Sequence, residues 1–202
     1  MARKPSTTKK AVNAANLAAL GAERLADLLM SAADADAALK RRLRMELAAE
    51  VGAADLAFEI DKRLTAISAS RTRVSWRKRP GLINELRSLL RVIVDRLAPL
   101  DIRLALDRLV VWFDLYPGLA ARVSDARGEL PLLFDAASAD LASVASAAGP
   151  DVAGPVLGEA VRTRLNQWAS WVGRGAHQLE PEVARRLLRE LRTEAKPTGR
   201  LA

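Results

Sequence analysis

An all-helical fold is what this sequence predicts, on three observations. Ala, Leu and Arg dominate the chain while aromatic residues make up only 4% of it, a helix-forming alphabet. Apolar residues recur three and four positions apart in segment after segment, the spacing of one helix face. β-branched residues are sparse, and no segment alternates with the period of two that a half-buried strand requires. At 202 residues the chain suits one large domain or two small ones. It is long enough to enclose a core without covalent staples. None is available, since there is no Cys. That excludes disulfides and thiol chemistry and fits a reducing, cytoplasmic setting.

The first helix is expected after Asn16, a good N-cap, with the stripe Leu17, Leu20, Leu25, Leu28 and Leu29 interrupted at Gly21. Asp34 or Asp36 caps a second helix striped by Leu39, Leu43, Leu47 and Val51, with Gly52 at its C-terminal end. Leu56, Ile60, Leu64 and Ile67 mark the third. A loop follows from Ser68 to Ser75. The fourth helix starts at Ser75 as cap or at Pro80 as first residue, and carries Leu82, Leu86, Leu89, Leu90, Ile93, Val94 and Leu97 before Pro99 stops it.

Asp101 caps a fifth helix with Leu104, Leu109 and Trp112, ended by Pro117 and Gly118. A short helical piece is expected over 119–123. Leu130, Phe134, Leu141 and Val144 stripe a sixth helix. The run 148–155, rich in Gly and Pro, reads as a break and as the candidate sub-boundary of the domain. The seventh helix is expected to run through Val156, Val161, Leu165, Trp168 and Val172, closed by Gly173 and Gly175. Pro181 opens the last, striped by Leu187, Leu188 and Leu191. The domain plan is therefore a disordered basic arm over 1–13, one helical domain over 14–195 and a disordered tail over 196–202.

Seven or eight helices with short connections predict packing as antiparallel hairpins, of which a solenoid-like helical-repeat array is one version. Ala105, Leu109, Trp112 and Pro117 have the spacing of the second helix of a tetratricopeptide unit, but Trp112 stands where a small residue is usual.

Charge is placed unevenly. Formal net charge is +8. The window Lys62 to Arg79 holds seven basic residues and no acid: Lys62, Arg63, Arg71, Arg73, Arg77, Lys78 and Arg79, with Trp76 among them. Arg3, Lys4, Lys9 and Lys10 make the N-terminal arm basic too, which leaves the rest of the chain slightly acidic. Such clustering predicts a surface that meets anions. Three successive cations at a helix start also oppose the macrodipole, a burden that a bound polyanion or acids from elsewhere in the fold would relieve. The indole of Trp76 offers a flat face for a base or a guanidinium. Four or five phosphate contacts would give a log K against log salt slope near about −4 on duplex DNA. The competing reading is structural: Trp76 and Val74 plug a helix junction, and Arg71 and Arg77 pair with Glu59, Asp61 or Glu85.

Several segments carry a resemblance. NLAALGAERLADLL (Asn16 to Leu29), LKRRLRMELA (Leu39 to Ala48), EIDKRL (Glu59 to Leu64) and SRTRVSWRK (Ser70 to Lys78) resemble an uncharacterised bacterial family, catalogued as a domain of unknown function. The likeness spans the first half of the chain. It implies a helical fold and a bacterial cytosolic protein, and no activity. Pro80-Gly81 departs from the continuous helix it implies there.

Enzymatic constellations are not evident. There is one His, one Tyr and no Cys. His177 falls in a turn, and nearby Ser170 belongs to no nucleophile motif. A His/Cys metal cluster cannot be built, no GxxxxGK[ST] loop is present, and no cofactor is expected. No stretch of about 18 uncharged apolar residues suggests a membrane span, and MARKPSTTKK lacks the apolar run of a secretory signal. Trp168 and Trp171 read as core with Leu165 and Val172, or as an exposed aromatic patch for a partner. Arg185, Arg186, Arg189 and Arg192, among Glu182, Glu190 and Glu194, read as a solvated, salt-bridged face. The sequence thus points to a non-enzymatic scaffold or adaptor that binds another protein, with homo-oligomerisation open. The alternative is sequence-independent nucleic-acid binding through 62–79. A carboxylate-centred enzyme is a third.

Overall fold

The computed structural model describes residues 11–164 and 166–193, and among them there is helix and no strand. Residues 1–10 of the expected basic arm, the expected tail and Leu165 lie outside the described residues, while Asn13, placed in the arm, caps the first helix. Two compact units divide the chain, Met1–Arg44 and Met45–Ala202.

In the first unit, α1 (Ala14–Ala18) is capped by the Asn13 side chain, which accepts from the Asn16 N–H at 2.8 Å. The cap thus stands three residues earlier than expected. Gly21 separates this turn from α2 (Ala22–Ala35). The expected stripe is divided, with Leu17 on α1, Leu20 in the turn and Leu25, Leu28 and Leu29 on α2; Leu17, Leu20, Leu28 and Leu29 remain exposed and only Ala33 is buried. A short unit of this size has too little chain to enclose its own leucines. Asp36 caps the next helix as expected, its Oδ1 accepting from the N–H groups of Ala38 at 2.8 Å and Leu39 at 3.2 Å.

That helix, α3 (Ala37–Val51), departs from its predicted stripe. Met45 is buried and Ala48 and Ala49 pack on the core, while Leu47 and Val51 face solvent. The period is helical, but the small alanines set which face approaches most closely. Next, α4 (Ala53–Ala69) buries Leu56, Ile60, Leu64 and Ile67 as the spacing requires.

The fourth expected helix, α5 (Arg79–Arg91), opens with Pro80 in its first turn, so Ser75 is not its cap. It passes into a π-helical segment, Val92–Leu97, whose last bond runs from the Ala98 N–H to the Ile93 carbonyl five residues back. The wider turn keeps Val92, Ile93 and Leu97 all buried. Asp101 caps α6 (Ile102–Asp114) through Oδ1 to the Leu104 N–H at 2.9 Å. A short α7 (Tyr116–Ala120) follows, slightly earlier than the expected 119–123 piece.

The 20-residue α8 (Glu129–Ala148) is the core helix, burying nine residues that include Leu130, Phe134, Leu141 and Val144. By length and composition it alone among the described helices could cross a membrane, but half of its apolar window is buried within the protein. The 148–155 run is helical on both sides of Gly149, and Ala145, Ala153 and Leu157 share one core. Gly149 turns the chain at φ +81°, a conformation that L side chains disfavour.

One predicted helix is two. The seventh splits into α9 (Pro150–Thr163) and α10 (Gln167–Gly175), and after a 3₁₀ turn the chain ends its described course in α11 (Pro181–Thr193). The closest packing joins alternate helices: α9 with α11, α8 with α10, α6 with α8 and α4 with α6. Where α9 meets α11, Gly158 lets the helices approach until an added Cβ would stand 2.8 Å from the Cβ of Glu190. Gly154 does the same against the Arg186 side chain.

An aromatic cluster fills the centre of the second unit. Trp112 stacks on Phe134 at 4.3 Å, and its Nε1–H donates to the Leu86 carbonyl at 3.1 Å. Phe113 lies 4.9 Å from Trp171 and 5.4 Å from Trp168. Both α10 tryptophans are buried, so they form core and not an exposed patch.

Candidate functional site

The basic window does not behave as one surface. Lys62 and Arg63 lie on α4, and each finds an acid: Lys62 reaches Glu59 at 2.7 Å and Arg63 reaches Glu85 at 2.6 Å. Arg79 is buried to 6% exposure. Its Nε and Nη2 donate to the two oxygens of Glu129 at 3.0 Å each, Nη1 donates to the Ser124 carbonyl at 3.1 Å, and Asp125 lies 3.5 Å away. Arg79 is thereby a structural ion pair and not a docking group, while Lys62 and Arg63 each stand beside an acid on the helix surface. Arg79 has no exposed edge to offer. The macrodipole conflict at the α5 start is relieved for Arg79 by acids from elsewhere in the fold.

The remaining five residues sit together on the loop between α4 and α5. Arg71, Arg73, Trp76, Arg77 and Lys78 are all exposed. The four cations have no ion pair among the described residues. Of the carboxylates offered by the structural reading, Glu59 and Glu85 pair as above and Asp61 binds Arg108 at 2.6 Å. Trp76 is 63% exposed, so it plugs no junction. Its ring carries the Arg77 guanidinium 5.0 Å from the centroid, a cation–π stack that holds both side chains out from the surface.

A loop this basic is held in shape by bonds that the sequence does not announce. Val74 forms an isolated parallel bridge with Val123, its N–H donating to the Arg122 carbonyl at 3.0 Å and its carbonyl accepting from Ser124 N–H at 2.9 Å. Arg122 donates to the Thr72 carbonyl at 3.0 Å and to the Ile67 carbonyl at 3.0 Å. Asp125 accepts from the N–H groups of Glu129 and Leu130 at the α8 start, at 3.1 and 2.7 Å. Arg79, Arg122 and Asp125 therefore fix the loop's base while its cations make no ion pair among the described residues. Sequence reasoning missed Arg122 because the carbonyls it binds lie fifty or more residues away along the chain, and it missed Asp125 although its bonds to the α8 start are local.

Elsewhere, His177 stands exposed in the 3₁₀ turn Ala176–Gln178, with Gln178 Nε2 at 3.2 Å from its Nε2. No group of three or more metal-ligating side chains occurs among the described residues. On α11, Arg185 pairs with Glu182, and Arg186 pairs with Glu190 at 2.9 Å, so that face is salt-bridged as expected.

Fold and loop together define an all-α protein that displays an indole and, among the described residues, four cations without an ion pair on an anchored loop. The chain belongs to DUF6880, a family of unknown function, whose family model matches residues 7–200. The match runs well beyond the half of the chain over which the sequence segments carry their resemblance. No curated protein and no solved structure matches the chain.

Proposed function

We propose that this protein is a non-enzymatic helical adaptor that docks an acidic segment of a partner protein on the 71–78 loop. The observation that carries the reading is the exposed Trp76, stacked by Arg77 and flanked by Arg71, Arg73 and Lys78 without carboxylate partners. Trp and Arg are the side chains most often found at binding hot spots, because both bury large flat area and still hydrogen-bond. The anchors at Arg79 and Arg122 hold the loop ready, which lowers the ordering cost on binding. The cations occupy one short loop, and the neighbouring basic residues on α4 are already paired. This compact shape suits a short acidic segment better than a track for a polynucleotide backbone.

Nucleic acid is the second reading, favoured by one specific observation, the solvent-facing indole beside four cations that make no ion pair among the described residues. A base would stack on the ring while phosphates meet the arginines.

Fluorescence anisotropy separates the two. The probes are a labelled peptide of Asp, Glu and Leu and a labelled single-stranded oligonucleotide of mixed sequence. The adaptor reading expects the peptide to bind more tightly than the oligonucleotide. It also expects that affinity to fall by roughly tenfold or more when Arg71, Arg73, Arg77 and Lys78 are all changed to Ala. Tighter oligonucleotide binding, with a log K against log salt slope of about −3 for four single-strand phosphate contacts, transfers the assignment to nucleic acid. Indifference of both probes to the fourfold variant overturns both.

A further inference from the structure

The 71–78 loop is cationic and aromatic, and the same chain carries a surface of the opposite kind. Glu23, Asp27, Met30 and Asp34 stand at i, i+4, i+7 and i+11 on α2, the spacing of one helix face. All four are exposed, Met30 to 58%. Glu23 and Asp27 make no ion pair among the described residues. Asp34 meets Lys40 at 3.0 Å and still keeps its side chain 65% exposed. Arg24 is the one base on this helix. Three carboxylates and a thioether thus line a ridge of about 16 Å.

The ridge complements the loop in charge and in apolar character. Its three carboxylates answer Arg71, Arg73, Arg77 and Lys78, and a guanidinium takes a carboxylate in bidentate fashion. Met30, set among the acids, suits the exposed ring of Trp76, because a thioether sulfur packs favourably on an aromatic edge. Opposite fields also steer the encounter and reject like-charged partners. Leu28 and Leu29 are exposed too, but lie off the ridge.

We infer that the acidic segment taken by the 71–78 loop is α2 of a second copy of this chain. The inference rests on the docking reading above and names its partner. The contact joins unlike patches, and each copy has one of each. Association therefore runs head to tail or closes as a reciprocal pair.

Sedimentation equilibrium of the full chain tests it, at concentrations up to about 1 mM so that even a millimolar Kd shows. Self-association is expected, weakened by roughly tenfold or more as NaCl rises from about 50 to about 500 mM. Two variants then separate the patches. One changes the ridge, Glu23→Gln with Asp27→Asn and Asp34→Asn. The other changes Arg71, Arg73, Arg77 and Lys78 all to Ala. Circular dichroism reports that both are folded. Each alone is expected to be monomeric. Mixed in equal amounts they are expected to pair, because one keeps its loop and the other its ridge. Undiminished self-association of either folded variant, or a mixture that stays monomeric, overturns the inference. So does self-association that salt leaves unchanged and Leu28→Gln with Leu29→Gln abolishes, which would assign the contact to leucine packing. A monomeric parent that binds the peptide of Asp, Glu and Leu overturns the inference and leaves the docking reading standing. A monomeric parent that ignores that peptide removes both.

Discussion

Arg79 and Glu129, fifty positions apart in the chain, meet through two parallel hydrogen bonds of 3.0 Å, the guanidinium fork facing the carboxylate. This pair ties the first turn of α5 to the first turn of α8 and closes the base of the 71–78 loop. It also separates two kinds of arginine that are equivalent in the sequence. Arg77 and Arg79 both stand in a run of three cations, yet one stacks on an exposed indole and the other is enclosed.

Removing Arg79 is expected to unsettle the fold. Arg79→Ala leaves Asp125 and Glu129 without their cation and the Ser124 carbonyl without its donor. Breaking a buried pair from one side costs about 3–5 kcal/mol, and the lower end applies because Glu129 is one-third exposed. Arg77→Ala touches only the exposed stack and should stay within about 0.5 kcal/mol of the parent. Urea denaturation of both variants checks the contrast. Equal, small effects would mean that Arg79 anchors nothing.

Trp76 is expected to report the loop's exposure directly. Of the four tryptophans, Trp112, Trp168 and Trp171 are buried and Trp76 is not. Acrylamide should therefore quench one component of the emission readily and the rest poorly, and Trp76→Phe should remove the accessible component. Stability should change by less than about 0.5 kcal/mol for Trp76→Ala, as at other exposed positions. Trp112→Ala should cost about 3–5 kcal/mol, because it empties the core stack with Phe134.

What could be read from residues alone follows physical range. Helix existence was legible because the apolar period is local: Leu56, Ile60, Leu64 and Ile67 are all buried where their spacing puts them. Asp36 and Asp101 were legible as caps for the same reason, each bonding N–H groups two or three residues ahead. The α1–α2 stripe was legible as a pattern, but its burial depends on how much chain surrounds it. The split between α9 and α10 was hidden because apolar residues continue through it at helical spacing. At the loop, composition located the five exposed residues, and the partners of Lys62, Arg63 and Arg79 decided which of the eight were already neutralised. Those partners are set by tertiary contact. The ion pair of Asp114 and Arg164 joins positions fifty residues apart, and no local motif marks it.

Glycines in α9 and α10 should respond in opposite directions to the same substitution. Gly158→Ala gains helix propensity of up to about 1 kcal/mol, but its Cβ would meet the Cβ of Glu190 at 2.8 Å. That atom sits at the root of its side chain, so α9 and α11 must move apart. Overpacking of this kind costs typically about 1–3 kcal/mol, and a net loss is expected. Gly173→Ala meets nothing within 4 Å and should gain up to about 1 kcal/mol from propensity. Thermal melting of the two variants should therefore shift Tm in opposite directions. A stabilised Gly158→Ala would show that the α9–α11 contact is looser than its geometry.

Asp140 on α8 gives a pH signature. Burial pushes its carboxyl above the ordinary value of 3.8; Arg91, 3.6 Å away, pulls it partly back, and Asp95 pushes it up again. The folded state thus holds this proton more tightly than the unfolded chain does. The stabilisation is complete below the unfolded pKa, about 3.9, and is lost as pH rises through the higher folded value. Asp140→Asn, which keeps the shape of the protonated acid, removes this dependence. Relative to Asp140→Asn, the parent protein should therefore lose unfolding free energy as pH rises from about 3 toward neutrality. At neutral pH the variant should be at least as stable as the parent. Asp95→Asn should shrink the effect and Arg91→Ala should enlarge it, since one removes a like charge and the other an opposite one. Urea denaturation across that range measures it. A parent that instead gains on the variant as pH rises would mean that Arg91 outweighs burial and that Asp140 is a stabilising ion.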